Sequence, residues 1–130
     1  VSFAGIVVQG YADGAFVRVE QEANDFEDVV GTDGEVSRSK TNDRRATVTF
    51  LLMQTSSTNA LLSAISNADR DTPGGAGVGA LYIRDRQGTA LYRASEAWIQ
   101  KPPDVEFDRT ATGREWTLRC ANLKRVDGGN

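Results

Sequence analysis

The sequence contains no histidine and only one cysteine, Cys120, among its 130 residues. Without histidine the chain lacks the commonest general base near neutral pH and the commonest metal ligand, which excludes Ser-His-Asp and Cys-His catalytic machinery. A single cysteine cannot form a disulfide within the chain, and this fits folding in a reducing cytosol. Cys120 alternates with Trp116 and Leu118 along a predicted strand, so we interpret it as a buried small hydrophobe.

Long apolar runs are also missing, since the longest is Phe50–Met53, far below the roughly 20 residues that span a bilayer. The N-terminus has no basic region followed by an apolar stretch, so we expect neither a signal peptide nor membrane insertion. Positive charge is in the minority, with 15 Lys and Arg against 18 Asp and Glu, a net charge of -3. Such a surface does not attract nucleic acid, because that binding depends on basic side chains that neutralise phosphates.

One short acidic motif resembles a calcium loop but is incomplete. Asn67, Asp69 and Asp71 alternate as ligands of such a loop do, yet the positions that require glycine and a final acid hold Thr72 and Val78. We therefore read the stretch as a solvated helix end and predict no metal site.

A glycine-rich stretch and several paired acids are the other candidates for ligand chemistry. Gly75, Gly77 and Gly79 follow a predicted helix and precede a strand, the reverse of the order in a dinucleotide-binding loop. The acids come with no intervening base, and no compact hydrolase site can be picked out among them. We therefore predict no catalytic residue and no cofactor.

The dominant pattern is period-2 alternation of apolar and polar residues, which is typical of strands. Strands are predicted over residues 3–8, 15–22, 26–30, 45–54, 80–86, 89–100, 105–108 and 114–123, and residues 124–130 are predicted to form a flexible tail. With roughly six to eight strands and hairpin-length connections, the chain is predicted to be one mainly β domain over 1–130, an antiparallel sandwich or barrel with one packed helix.

One helix is predicted at about 58–69, with an N-cap at Ser57, Thr58 or Asn59. Four apolar residues at spacing i, i+3, i+4, i+7 form a stripe of the kind that faces a core: Leu61, Ala64, Ile65 and Ala68. Core packing is also the expected role of Trp98 and Trp116, which lie on predicted strands.

The strand predicted at 45–54 is apolar on both faces toward its end. Val48, Phe50 and Leu52 form one face, while Leu51 and Met53 make the other face apolar as well. A strand of this kind is covered on both sides. In a domain of this size we expect the second cover to come from a helix or from a neighbouring subunit.

Charges are segregated along the first half of the chain. Seven acids lie within sixteen residues: Glu20, Glu22, Asp25, Glu27, Asp28, Asp33 and Glu35. Four basic residues follow them: Arg38, Lys40, Arg44 and Arg45. Crowded acids repel one another, so this surface is solvated, lines a channel, or meets the basic patch of a neighbouring subunit. Complementarity of the last kind builds rings or filaments.

Three segments in succession resemble the tail tube proteins of contractile-tailed, myovirus-type bacteriophages. Residues 31–36, Gly-Thr-Asp-Gly-Glu-Val, resemble a Gly-Ala-Asp-Gly-Glu-Val element of one group of these proteins. Residues 46–52 are similar to their Thr-Val-rich strand followed by leucines, and residues 54–62 to the start of their helix. Ser57 stands where the family pattern often has proline, and both residues suit a helix start. The resemblance is specific from residue 31 to about residue 65.

The resemblance implies a fold shared with the haemolysin-coregulated tube protein of type VI secretion. That fold is mainly β, with two packed antiparallel sheets forming a barrel-like sandwich and one flanking α-helix. It also implies homohexameric rings that stack into the inner tail tube within a contractile sheath and conduct DNA during ejection. The expected location is the virion tail, after assembly in the cytoplasm of the bacterial host.

The resemblance implies several partners. They are further copies of the chain, the tail sheath protein, the tape-measure protein, and the baseplate and terminator proteins, with transient and non-specific passage of DNA. The alternatives are the tube of a type VI-like or tailocin injection system, a monomeric carbohydrate- or peptide-binding β-domain, and, last, an acid-pair hydrolase.

The same resemblance gives roles to particular residues. The loop over about 31–43 is expected to be an arm that reaches adjacent subunits or rings. The predicted inter-subunit residues are Asp33, Glu35, Arg38, Lys40, Arg44, Arg45, Leu51 and Met53. The predicted lumen residues are Arg18, Glu20, Glu22, Thr117 and Arg119. An acidic or neutral lumen would let DNA slide, because basic residues would hold its phosphates.

Overall fold

The computed structural model describes residues 1–9, 11, 17–75, 77–84, 89–104 and 113–128. These residues form ten strands and one helix. The strands are β1 Ser2–Phe3, β2 Ile6–Val7, β3 Val17–Gln21, β4 Phe26–Val30, β5 Val36–Lys40, β6 Ala46–Met53, β7 Gly79–Arg84, β8 Leu91–Lys101, β9 Gly113–Cys120 and β10 Leu123–Val126. The helix α1, Thr58–Asp71, lies between β6 and β7.

Eight of these strands form one antiparallel sheet, in the order β2-β1-β7-β8-β9-β6-β3, and β10 also pairs with β8. The 11-residue β8 is long enough to pair with β7 on one side and with β9 and then β10 on the other. The second sheet is the two-stranded hairpin of β4 and β5. A mainly β fold with two antiparallel sheets and one helix is thereby confirmed.

The core lies against one face of the large sheet. Alternation along β6 buries Ala46, Val48, Phe50 and Leu52 completely. The register with β9 sets this row beside Trp116, Leu118 and Cys120, which are also buried. The buried position predicted for Cys120 is confirmed, and burial raises the pKa of its thiol to about 11.

The two tryptophans lie on opposite faces of the sheet. Trp116 is buried, and its indole N–H donates to the amide oxygen of Asn59 at 2.9 Å. The amide nitrogen of Asn59 donates in turn to the carbonyl of Met53 at 2.9 Å, so one side chain connects β9, α1 and the end of β6. Trp98 is half-buried on the other face, opposite Arg119. Core packing was therefore correct for Trp116 and wrong for Trp98.

The helix begins after Ser57, one of the predicted N-cap positions, but it buries a different face from the one that its apolar pattern predicted. Its buried residues are Thr58, Leu62 and Ser66. Leu61 is 49% exposed. Ala64 and Ala68 are exposed as well, and of the predicted stripe Ile65 alone packs partly against the core.

Two physical reasons account for this error. The adjacent residues Leu61 and Leu62 belong to overlapping stripes, and the pattern alone cannot choose between them. The chosen face also carries a polar contact, because the hydroxyl of Thr58 accepts the backbone N–H of Gln9 at 3.2 Å. The Ser56 hydroxyl donates to the carbonyl of Gln9 at 2.6 Å, which fixes the N-terminal segment at the start of the helix.

Two predicted boundaries also change. The arm predicted at 31–43 is a hairpin that begins at Phe26, since β4 and β5 pair from Phe26 and Lys40 inward. The tail predicted at 124–130 begins as β10, which pairs with β8. The strand predicted at 105–108 lies outside the described residues.

Candidate functional site

The hairpin of β4 and β5, residues 26–40, is called the arm from here on. All ten of its strand residues are exposed. Its turn is held by hydrogen bonds from the Gly31 N–H to the Glu35 carbonyl at 2.7 Å and from the Gly34 N–H to the Gly31 carbonyl at 3.0 Å. Gly34 has φ of 84°, which glycine adopts without the strain of a side chain. The exposed tip therefore has a defined shape.

Part of the acidic and basic runs lies on the two strands of the arm, with Glu27 and Asp28 on β4 and Arg38 and Lys40 on β5. Asp28 stands opposite Arg38 in the register, and Phe26 stands opposite Lys40. The Arg38 guanidinium lies over the Phe26 ring, 4.3 Å from its centroid. Arg38, predicted as an interface residue, thus contacts the Phe26 ring within its own arm.

Arg45 is also engaged within the chain. Its guanidinium donates two hydrogen bonds to the Asp43 carboxylate, each 2.9 Å long, and its backbone N–H donates a third at 3.1 Å. These hydrogen bonds, the side-chain ones first, lower the pKa of Asp43 to about 2. The same partnership raises the pKa of Arg45.

A cleft of about 340 Å³ lies where the arm joins the large sheet, and we call it the base cleft. It is lined by residues from the arm, from the segment after it and from β10, among them Phe26, Lys40, Arg44, Leu123 and Lys124. The Leu123 N–H donates to the carbonyl of Arg44 at 3.1 Å, which holds two of these segments together.

The large sheet carries a polar face on the side away from the core, and we call it the outer face. The registers set Arg18 beside Thr49 and Thr117, and Glu20 beside Thr47 and Arg119. The strands β3, β6 and β9 thus bring four of the five predicted lumen residues into adjacent rows.

The fifth predicted lumen residue, Glu22, is joined to this face by its contacts. Its carboxylate lies 3.0 Å from the guanidinium of Arg119 and accepts the Thr47 hydroxyl. The hydrogen bond from Thr47, followed by the charge of Arg119, lowers the pKa of Glu22. This grouping depends on pairing between distant strands.

The apolar end of the outer face is open within one chain. Leu51 is half-buried and Met53 is 47% exposed. Neither residue has the complete cover that the core residues of β6 have.

The stretch that resembled a calcium loop has a structural role. The Asp69 carboxylate accepts the backbone N–H of Gly77 at 3.0 Å and so holds the glycine-rich connector against the helix end. Across the described residues, no group of three or more acids and cysteines is arranged to hold a metal ion. In that same part of the chain, no helix is long and apolar enough to cross a bilayer.

The chain is an antiparallel β domain with an exposed arm and a polar sheet face, and comparison with known proteins identifies the class to which it belongs. The family described as "Bacteriophage PhiTE tail tube protein" matches residues 2–128. The chain belongs to this family of phage tail tube proteins, which are structural proteins and not enzymes.

Two similar proteins accompany the family match. The chain is 30% identical over 121 residues to "Structural protein ORF10" of Pseudomonas phage KPP10, covering 93% of this chain and 70% of that protein. The fold resembles the cryo-EM structure of the anti-feeding prophage cap, described as the AFP tube terminating cap, with a TM-score of 0.51. That match covers 93% of this chain and 94% of the other at 11% identity, so it shows the fold alone.

Family membership sets the location and the general role. A phage tail tube protein is part of the virion. A tube is built from repeated subunits, so the chain assembles with itself and meets other components of the tail.

Proposed function

We propose that the chain forms hexameric rings that stack into the inner tail tube inside a contractile sheath, and that DNA passes through this tube during ejection. Assembly takes place in the cytoplasm of the bacterial host, with the sheath, tape-measure, baseplate and terminator proteins as partners. The observation that carries the proposal is that β3, the last strand of the large sheet among the described residues, borders the polar outer face.

The edges of the large sheet are the first support. In the part of the chain that the structure describes, the strand order ends at β2 on one side and at β3 on the other. An edge strand presents unpaired backbone N–H and C=O groups and is a ready template for pairing with another chain. Joining edges between copies around a ring continues the sheet into a closed barrel, with the outer face of every copy on one surface.

The charges of the outer face are the second support for a DNA conduit. Its five predicted lumen residues comprise two arginines, two glutamates and one threonine, so their formal charges cancel. Arg119 is also neutralised locally by Glu22. A surface whose positive and negative charges cancel offers the DNA phosphates no row of free cations. The DNA can therefore slide along it without adhering.

The open apolar end of the outer face is the third support. Leu51 and Met53 adjoin the polar rows on β6, and a neighbouring subunit would complete their cover. Burial of apolar area at such a contact contributes roughly 25 cal/mol per Å², from which the free-energy cost of association is subtracted. We propose both residues as interface residues, together with the charged residues predicted from the sequence: Asp33, Glu35, Arg38, Lys40, Arg44 and Arg45.

Electron microscopy of the purified protein tests the proposal. We expect negative-stain images to show sixfold rings or tubes, and light scattering to show a species much larger than 14.1 kDa. A species that stays monomeric at high concentration, with no rings, would contradict the proposal.

A matched pair of variants tests the interface on the outer face. Met53 and Leu61 are equally exposed, at 47% and 49%. Met53→Glu should impair ring formation, whereas Leu61→Glu on the helix should leave rings intact. If the two variants form rings equally well, Met53 does not lie in the interface.

The tube of a tailocin-like or type VI-like injection system is the second candidate, favoured by the fold similarity to the cap of the anti-feeding prophage. The neighbouring genes separate the two. Capsid genes beside the tube gene would support a phage tail, and effector genes with membrane-complex genes would support an injection system.

A further inference from the structure

We propose that the base cleft of one subunit receives the acidic tip of the arm of a second copy. The tip carboxylates are Asp33 and Glu35, and the receiving cations are Lys40, Arg44 and Lys124. This inference rests on the proposed function, because it assumes that the chain assembles with itself. It adds a specific contact and a direction to that assembly.

The tip carries two exposed carboxylates. Asp33 accepts the backbone N–H of Glu35 at 3.2 Å, which shapes the turn and leaves the carboxylate charge uncompensated. Neither acid has a cation within 4.0 Å in the part of the chain that the structure describes. A complementary surface must therefore come from elsewhere if these charges are to be paired.

The base cleft has an excess of positive charge. Lys40, Arg44 and Lys124 line it, and within the described residues none of them has a carboxylate within 4.0 Å. Arg125 also lines the cleft, but its guanidinium is held by Asp127 at 2.9 Å. Asp25, the carboxylate that lines the cleft, is hydrogen-bonded by Gln21 at 2.9 Å. Three available cations against one carboxylate make the cleft attractive to an acidic ligand.

Two of the four basic residues that the sequence suggested for the interface take no part in this tip-to-base contact. Arg38 lies over Phe26, and Arg45 is bound by Asp43. The structure replaces them with Lys124, which is far from the basic run in sequence and reaches the cleft on β10.

Length prevents the tip of an arm from reaching its own base. Each strand of the arm has five residues, which at about 3.3 Å per residue gives an arm of roughly 17 Å. That length also exceeds the Debye length of about 8 Å at physiological salt, so the two ends interact little within one chain. A contact between the tip of one copy and the base of another joins different surfaces, and such contacts repeat into rings or filaments.

The tip and the base cleft also both carry exposed apolar side chains. Val30 and Val36 face each other beside the turn and are 62% and 60% exposed. Phe26, 45% exposed, supplies apolar surface to the cleft. A two-stranded hairpin by itself is marginally stable in water, so seating its tip against a second copy would also stabilise the arm.

Reciprocal charge reversal tests this contact. The tip variant carries Asp33→Lys and Glu35→Lys, and the base variant carries Arg44→Glu and Lys124→Glu, which leaves the arm sequence unchanged. Each variant alone should assemble at a concentration about tenfold or more above that of the wild type, since two favourable pairs become repulsive. A mixture of the two should assemble near the wild-type concentration, because each tip then meets a base of opposite charge.

Sedimentation velocity and light scattering at fixed ionic strength provide the measurement. The fourfold variant, with tip and base both reversed, should assemble alone, and circular dichroism should show native strand content for every variant. Arg70→Glu, at the exposed end of the helix, serves as a control that should assemble like the wild type.

Two results would overturn the contact. The first is normal assembly of the tip variant alone and of the base variant alone. The second is failure to assemble both in the mixture and in the fourfold variant, although all the variants are natively folded. If the wild type forms rings, either result refutes the tip-to-base contact but does not refute the proposed function. A wild type that stays monomeric refutes the proposed function itself.

Discussion

Two adjacent leucines at the start of the helix give the sharpest test of how α1 is oriented. Leu62 is fully buried, while Leu61 is 49% exposed. The apolar pattern of the sequence favoured Leu61 as the core residue, and the structure favours Leu62. Replacing each with alanine separates the two, because both changes remove the same atoms from the same helix.

The expected magnitudes differ because the environments differ. Leu62→Ala removes fully buried methyl groups and leaves a cavity, which costs about 3 kcal/mol of unfolding free energy. Leu61→Ala removes a side chain that is already half in water, so the cost is about 1 kcal/mol at most. The better helix propensity of alanine offsets a few tenths of a kcal/mol at both sites.

Urea denaturation followed by circular dichroism measures the difference. The protein concentration must be low enough to prevent assembly, since association adds a concentration-dependent contribution to stability. We expect a gap of about 2 kcal/mol between the variants, or roughly 6–10 °C in Tm. Equal costs, or a larger cost for Leu61→Ala, would refute the assigned orientation of the helix.

Three further predictions concern individual side chains. Asn59→Ala leaves the buried indole N–H of Trp116 without its acceptor and should cost about 2 kcal/mol; urea denaturation should show a smaller cost in a Trp116→Phe background, and equal costs would exclude a contribution from this bond. The pKa of Asp43 is about 2 instead of 3.8, so its ionised form stabilises the folded chain above about pH 4 and that stabilisation is lost as the pH falls toward 2. Asp43→Asn should therefore flatten the fall in urea midpoint over this range, and an unchanged fall would contradict the assignment. The pKa of the buried Cys120 thiol is about 11, so it should resist a thiol-reactive dye at pH 8 in the folded chain and react in guanidinium chloride; rapid reaction of the folded chain would show that the core at β9 is open.

The strands were predictable because their signal is local. Alternation grouped Val48, Phe50 and Leu52 on one face, which is the core side of β6. The strand predicted over Phe26–Val30 has the bounds of β4, although its residues do not alternate. The short β10 was missed because Leu123–Val126 does not alternate clearly, and its pairing with β8 depends on a distant segment.

The helix shows where a local signal fails. The sequence located α1 and gave three candidates for its N-cap, Ser57 among them, but the side that the helix buries depends on what lies beneath it. Thr58 and Ser66 are buried although they are polar, so a pattern of hydrophobic residues does not place them on the buried face of the helix. Trp98 went to the outer face for a related reason, since its neighbours Ala97 and Ile99 hold the core positions of β8.

The sequence by itself determined the class of this protein. The absence of histidine excluded the commonest catalytic machinery, alternation predicted a mainly β domain, and the segments from residue 31 to about 65 carried the resemblance to tail tube proteins. These conclusions depend only on residue types and on the order of neighbouring residues, and both can be read from the sequence without knowledge of the fold.

Only the tertiary structure decided which charges are available for assembly. Sequence order suggested Arg38, Arg44 and Arg45 together, but folding pairs Arg38 with Phe26 and Arg45 with Asp43. Strand pairing brings Lys124 to the cleft at the base of the arm, and it brings Glu22 to Arg119 on the outer face. The physical reason is that electrostatic partners are chosen by distance in space, and in an antiparallel sheet that distance is set by registers between strands far apart in sequence.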